Sequence, residues 1–446
     1  MTRVLFLGDM AATGFGTVTT DLGRGLLALG LDVRFMTQNE NDGVPDDLRE
    51  RTAILGAKHG WLGTELPSEA ALDSPEIREY QSEVRTERLK GIFTGGLFED
   101  GWVPEQAILL GDVGSLKLGP VPDLIPDGFP VWHYVPVEGV GMPPAWAEVW
   151  KKLRPVAMCQ FGADEIEKLT HRPVPVIYHG VDTRDFQPVT PTTPLRMIGP
   201  KNPVVLRSRE EIRTFLGWPQ DDFIMFRADR NMPRKQYPAL MRIAADFIKA
   251  HPNARLIWHC RTLDQGGDLK DERSKYPEAI ANRLNSTGLN DAFGVAPRSV
   301  LRAMYAAADV YVSTSAEGFG LTIAEAMACG TPAIGLAFSS VPEVLGPGGW
   351  TVPIGYLVEN IYSHFWAAPD HRKYVAALEE AYASRSERSI RGKKGMFHVL
   401  THFSWRRAAE QFAALIEGEG VAAPLPVEKP ARALPPGLIL PAGVRL

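Results

Sequence analysis

STSAEGFGLTIAEAMACGTP, residues 313–332, decides how the rest of the chain is read. An apolar strand at 310–313 enters it and the loop Gly318-Phe319-Gly320 follows. An apolar run from Leu321 to Cys329 then stops at Gly330, the residue type that commonly closes helices. The stretch predicts strand, flexible loop and helix. Free backbone N–H groups near Gly320, Leu321 and Thr322 would hold a phosphate at the positive end of that helix, and the glycines would let it approach the backbone closely. Glu317 and Glu325 stand eight residues apart, a helical rise of about 12 Å, which places one carboxylate on each side of a bound diphosphate. Carboxylates accept hydrogen bonds from paired hydroxyls, so Glu325 is expected at a ribose and Glu317 at a sugar. The competing reading makes Glu317 a loop charge and Glu325 part of a solvated helix face.

Working outward, short apolar strands alternate with helices along the whole chain, the rhythm of α/β domains with parallel sheets. Residues 4–7 read as a strand, 8–16 as a Gly-rich loop, 17–29 as a helix and 32–36 as a strand, one βαβ unit. Further strands are expected at 107–110, 131–135 and 156–159, the last followed by a helix at 162–169. Residues 183–203 are rich in Pro and Thr and lack an apolar period, which marks a linker. A second series follows: strand 223–227, helix 237–250, strand 255–259, helices 276–284 and 299–307, strand 310–313, helix 321–329 and strand 332–335. The expected organisation is a first Rossmann-like domain (1–183, acceptor side), a linker (184–203), a second such domain (204–402, donor side), and a crossover helix with a Pro-rich tail (403–446). Two doubly wound sheets facing each other place the site in the cleft between them, beyond the carboxyl ends of their strands.

The composition fits an ordinary soluble globular protein, with 446 residues, 45% of them hydrophobic and 23% charged. A net charge of −5 provides no general field for a polyanion. Three widely spaced cysteines, Cys159, Cys260 and Cys329, suggest neither a disulfide framework nor a zinc site. The apolar run at the N-terminus is too short for a signal peptide, and no stretch of about 18 apolar residues occurs. A cytoplasmic protein is expected. Two segments leave peripheral membrane contact open: the basic run 385–394 and residues 146–154, with Trp146, Trp150, Lys151 and Lys152. For each the bland alternative is a solvated helix face or core packing.

The block E-G-F-G-L-x-x-x-E-A-M-A-C-G-T-P resembles the signature of retaining glycosyltransferases of family 4, which have the two-domain GT-B fold. Ordered matches extend the resemblance: Ile177-Tyr178-His179-Gly180-Val181-Asp182, the pair Arg230 and Lys235 in R-x-x-x-x-K, residues 293–295 through 305–310, and Phe403-Ser404-Trp405. The resemblance implies transfer from a nucleoside-diphosphate sugar to a hydroxyl with retained anomeric configuration, without a metal or other cofactor. The expected catalytic residues are Glu317, Arg230, Lys235 and His133, the cations neutralising the departing diphosphate. Donor binding is assigned to Gly318, Phe319, Gly320, Leu321, Thr322, Glu325, Gly14, Gly16 and Val295. Glu138 is an alternative to His133 as the polar group of that region, and His179 is expected to shape the hinge. Gly14-Phe15-Gly16 begins a dinucleotide fingerprint, but Thr19 takes the place of the third glycine. The family's usual Gly-Gly is replaced by Ser339-Ser340, and the usual Gly after Lys235 by Gln236.

The nucleotide (UDP, GDP or ADP), the sugar and the acceptor stay open, the acceptor among a glycan, a lipid, a small molecule, a protein or a modified nucleic-acid base. The rival readings are a sugar-nucleotide epimerase, a dinucleotide-dependent oxidoreductase and a nucleotide-sugar-binding protein without turnover.

Overall fold

The computed structural model describes residues 1–10, 13–37, 44–54, 90–113, 125–198, 203–288, 296–360 and 363–420. Val295 and the tail 421–446, both given readings from sequence, lie outside the described residues.

The first half contributes β1 (Arg3–Leu7), β2 (Asp32–Thr37), β3 (Thr52–Ile54), β4 (Gln106–Leu110), β5 (Val131–Val135) and β6 (Arg154–Ala157). They pair in parallel in the order β3-β2-β1-β4-β5-β6. A short antiparallel pair follows, β7 (Leu195–Ile198) with β8 (Pro203–Leu206). The second half contributes β9 (Phe223–Ala228), β10 (Ala254–His259), the small hairpin β11 (Leu263–Asp264) and β12 (Gly267–Asp268), then β13 (Leu284–Ser286), β14 (Val310–Val312), β15 (Ala333–Leu336) and β16 (Gly349–Val352). Its sheet runs β13-β10-β9-β14-β15-β16, again parallel. A hairpin, β17 (Ile354–Glu359) and β18 (Phe365–Pro369), completes it. Both main sheets thus have the same doubly wound order, with a switch point beside the first strand of each, where ligands bind in such sheets. The central strands are apolar throughout, as strands covered on both faces must be: all six residues of β9 and all five of β5 are buried.

The helix Trp405–Glu417 returns to the first half and lies along the helix Gly14–Ala28, where a Cβ on Gly25 would stand 2.8 Å from that of Ala409. Gln106 in β4 donates to the carbonyl of Ile416 at 2.7 Å. Gly180 in the hinge passes so close to the backbone N of Trp405 that no side chain fits there. The expected return of the terminal helix is therefore what the chain does.

Several local expectations are corrected. The first helix begins at Gly14, because the Thr13 hydroxyl accepts from Gly16 N at 3.1 Å and caps it, so Gly14 and Gly16 are its first turn rather than a loop. The helix expected at 276–284 is a single turn, Glu278–Ala281, followed by β13, which gains a partner in β10. The linker stretch carries β7 and is pinned by Arg302, which donates to the carbonyls of Gln187, Pro188 and Thr193. Trp146 and Trp150 are buried, so core packing accounts for the segment 146–154 better than membrane contact does. In the basic run, Arg388 pairs with Asp309 and Arg391 lies over the Trp350 ring at 4.4 Å, so part of it fastens the helix Arg385–His402 to the sheet. Among the described residues no helix is long and apolar enough to cross a membrane.

Candidate functional site

The loop after β14 carries Glu317 into the space between the two halves. Its backbone N–H donates to Ser339 Oγ at 2.8 Å, and Ser340 Oγ donates to the carbonyls of Glu317 and Phe319 at 2.8 and 2.6 Å. The pair Ser339-Ser340 braces this loop from behind. Ser339 takes the left-handed backbone (φ 53°) that explains why glycine is common at such a place. Gly320 stands at φ 105° just before the helix Leu321–Ala328, and no side chain caps that helix, which leaves its N-terminus open to a ligand. Gly14 faces it from the first half, its Cβ position 3.9 Å from the Leu321 side chain.

Glu317 is buried in a lattice of charges. Lys235 Nζ lies 2.6 Å from Glu317 Oε1 and 2.6 Å from Asp229 Oδ1. Arg234 reaches Glu317 Oε2 at 3.0 Å and, with its other terminal nitrogen, Glu138 Oε1 of the first half at 2.9 Å. Ser315 Oγ also donates to Glu317, and the fully buried Arg227 holds Asp229 at 2.9 Å and Ser315 Oγ at 3.0 Å. Burial alone would push the Glu317 carboxyl up, but Lys235 and Arg234 hold it well below the usual carboxylate range. Glu138 moves the other way, to about 7: burial raises it, Arg234 only partly offsets this, and Asp112 and Glu317 add repulsion. Among the described residues no cluster of three or more His, Cys, Asp or Glu is arranged to hold a metal ion.

The structure redistributes the residues expected here. Lys235 and Glu317 come together; Arg230 does not join them. It forms a two-pronged pair with Asp264 of β11, at 2.8 and 3.1 Å, with its guanidinium about half exposed, and Arg234 takes the inner position. Glu325 is buried and makes no hydrogen bond or ion pair with this lattice among the described residues: its carboxylate accepts from Tyr305 OH at 2.9 Å, and burial pushes its pKa up to about 7. The helix starts only at Leu321, so the two glutamates are not joined by eight helical residues. Thr322 Oγ1 accepts from Tyr311 OH at 2.8 Å. Phe319 is a packing residue, its ring 4.7 Å from His179 and 5.1 Å from Phe403. His133 is fully buried; its Nε2 donates to Gly111 O at 2.8 Å and its Nδ1 accepts from Trp150 Nε1 at 3.1 Å. Burial lowers its pKa to about 4, and with both nitrogens engaged it has no site for a substrate proton. His179 is likewise enclosed, stacked 5.7 Å from Trp405, which suits the hinge role expected of it.

Arg234, Asp229 and Asp112 were not singled out as site residues from sequence, whereas Glu138 was named as the alternative to His133. For Arg234 the available signal was its place next to Lys235; Glu138 sits just past the carboxyl end of β5.

The two halves meet tightly around this lattice. Val140 and Phe365 of β18 form an antiparallel bridge, with N–H···O distances of 3.0 and 2.9 Å. A Cβ on Gly318 would lie 2.5 Å from that of Pro136. Gly318→Ala should therefore wedge the wall of the cleft open and cost about 1–3 kcal/mol of stability, read from urea denaturation. A loss below about 0.5 kcal/mol would mean that this contact does not persist in solution.

Residues 208–395 match the family model described as glycosyl transferases group 1. D-inositol 3-phosphate glycosyltransferase from Thermomonospora curvata is 30% identical over 174 residues, 38% of this chain and 40% of that protein. The same-named protein of a Nocardioides species is 27% identical over 250 residues, 53% of this chain and 47% of that protein. The chain thus spans less than half the length of these curated relatives. Among solved structures, sucrose-phosphate synthase from Thermosynechococcus elongatus has a TM-score of 0.63 at 18% identity, covering 94% of this chain and 99% of that one. The Anabaena protein HepE, in complex with UDP and glucose, has a TM-score of 0.62 at 14% identity, covering 94% and 100%. WaaG, a glycosyltransferase involved in lipopolysaccharide biosynthesis, has 0.58 at 12%, covering 93% and 100%. These likenesses establish the α/β GT-B fold, two Rossmann-like domains facing across a cleft.

Proposed function

We propose that the chain is a retaining glycosyltransferase that moves a sugar from a nucleoside-diphosphate sugar to an acceptor hydroxyl. The observation that carries this reading is the buried lattice of Lys235, Arg234 and Glu317 beside the uncapped N-terminus of the helix Leu321–Ala328, at the switch point of the donor-side sheet. Lys235, Arg234 and the helix N–H groups would gather the diphosphate and neutralise the charge that grows on its oxygen as the bond to the anomeric carbon breaks. That supply of positive charge makes a divalent ion unnecessary for the step. The acceptor oxygen forms the new bond on the face the diphosphate leaves, and its proton passes to the leaving phosphate oxygen. Arg234 takes the place the sequence motif suggested for Arg230. Glu325 would hold the ribose hydroxyls, and Glu317, kept ionised by its cations, the hydroxyls of the donor sugar. Closure of the halves would keep water away from the activated sugar. The HepE complex makes UDP-glucose the first donor to try, and the names of the curated relatives make inositol 3-phosphate the first acceptor.

The test is calorimetric titration of wild type and Glu325→Gln with UDP-, GDP- and ADP-glucose, with NAD alongside. Wild type should select one sugar nucleotide. If the ionised Glu325 carboxylate grips the ribose, affinity should rise about tenfold from pH 6 to pH 8 as a group with a pKa of about 7 loses its proton. Glu325→Gln should bind more weakly and lose that slope. Failure of folded wild type to bind any sugar nucleotide would overturn the reading.

A further inference from the structure

A second concave site lies at the far end of the first sheet, where β5 and β6 begin. It is a cavity of about 530 Å³ whose walls include Phe129, Trp132, Trp150 and several prolines. Four cations, Lys151, Lys152, Arg154 and Arg172, line it against a single acid, Asp127. The donor-side lattice sits beyond the carboxyl ends of the strands, and β5 alone separates the two by about 16 Å of extended chain. The cavity is therefore not an arm of the cleft.

Cations next to helix C-termini often do no more than offset the helix dipole. That accounts for Lys151 and Lys152, which end the helix Val149–Lys152; Lys151 in addition pairs with Glu148 at 2.7 Å. It accounts for one donor of Arg172, which reaches Trp150 O at 2.9 Å. It does not account for Arg154, which opens a strand. The Arg154 guanidinium lies over the Trp132 ring at 5.0 Å, and Trp132 is itself fixed by its Nε1 donating to Gln106 Oε1 at 2.8 Å. Among the described residues Arg154 meets no carboxylate or carbonyl, so its exposed guanidinium keeps its donors for solvent or a ligand. A planar fork placed over an indole, a second partly free fork and ring-lined walls match a phosphate ester carried on a compact ring. The volume falls in the range of small-molecule sites.

We propose that this cavity binds a phosphorylated sugar or polyol, presented either free in solution or as a lipid headgroup. The test uses the full chain and the double variant Arg154→Ala/Arg172→Ala, with thermal denaturation and UDP-sugar binding as controls for the fold and the cleft. Wild type is titrated with glucose 6-phosphate and with glucose, and sedimented with phosphatidylinositol or pure phosphatidylcholine vesicles. Binding of glucose 6-phosphate but not glucose, weakened at least tenfold in the double variant while the cleft is unaffected, supports the proposal with a free ligand. Selective sedimentation with phosphatidylinositol vesicles, lost in the double variant, supports it with a lipid headgroup. Arg154→Lys should fall between, since it keeps the charge and loses the fork. No binding of either probe, or equal binding by the double variant, overturns it, whatever the cleft does with UDP-sugars.

Discussion

Lys235→Met is expected to lower the unfolding free energy by about 3–5 kcal/mol at pH 7 and to abolish donor binding. The methionine can fill much of the volume, so the loss is electrostatic. Lys235 is buried and is the cation shared by Asp229 and Glu317, 2.6 Å from each. Its removal leaves two carboxylates in a low-dielectric space, where among the described residues Asp229 keeps Arg227 and Glu317 keeps Arg234 as ionic partners. The pH dependence identifies the cause. In the wild type the folded Glu317 carboxyl sits below its ordinary value of 4.5, so its stabilising contribution is complete above that pH and fades as pH falls below it. In the variant the same carboxyl rises, because burial remains and Lys235 does not. The difference between the proteins should therefore be largest near pH 7 and shrink towards pH 4.5, as the variant takes up protons that the wild type refuses. Urea denaturation at both values measures it. An equal difference at the two pH values would mean that packing, not charge, makes Lys235 necessary. Arg230→Ala is the contrast: its pair with Asp264 is half in water, and its loss should stay within about 1 kcal/mol.

That contrast also shows where the sequence could be read and where it could not. Alternation of short apolar strands with helices gave two α/β domains, and the structure returns nearly those strands, because a strand covered on both faces is apolar throughout and stands out. The spacing R-x-x-x-x-K did not separate Arg230 from Arg234. Pro233 starts a tight turn, Pro233–Lys235, and Gln236 follows in left-handed backbone at φ 52°, which turns Lys235 inward. Arg230 is then left facing β11, a two-residue strand too short to leave a period, and its Asp264. Glu138, in the loop after β5, and Arg234, in the turn Pro233–Lys235, belong to separate halves about a hundred positions apart in the chain, and only tertiary packing joins them. His133 was legible in principle: it sits mid-strand among apolar neighbours, and a strand buried on both faces leaves no solvent-facing side from which it could reach a substrate.

Glu343 is where the closed arrangement can be challenged most sharply. It belongs to the second half, in the helix Val341–Leu345, yet its carboxylate accepts from the N–H groups of Gln160 and Phe161 at 2.9 and 2.8 Å, the first two residues of the helix Gln160–Thr170 in the first half. Tyr178 OH of the hinge donates to the same group at 2.8 Å. A carboxylate at a helix N-terminus meets unpaired donors and the positive end of a dipole, and here both oxygens are used in a buried setting. Glu343→Ala strands three donors at once, so a loss of about 3 kcal/mol is expected. Glu343→Gln should recover part of it, since its amide oxygen can still accept from one or two of them. The domain contact predicts more than a stability loss. If Glu343 pins the halves together, the alanine variant should expand in small-angle scattering, and a saturating sugar nucleotide should draw it back towards the wild-type radius by bridging the cleft. A variant destabilised by 3 kcal/mol but unchanged in radius would make Glu343 a cap for one helix and nothing more. A variant that is neither destabilised nor expanded would show that the free protein in solution does not keep the halves closed on this contact, and closure would then have to be supplied by the donor itself.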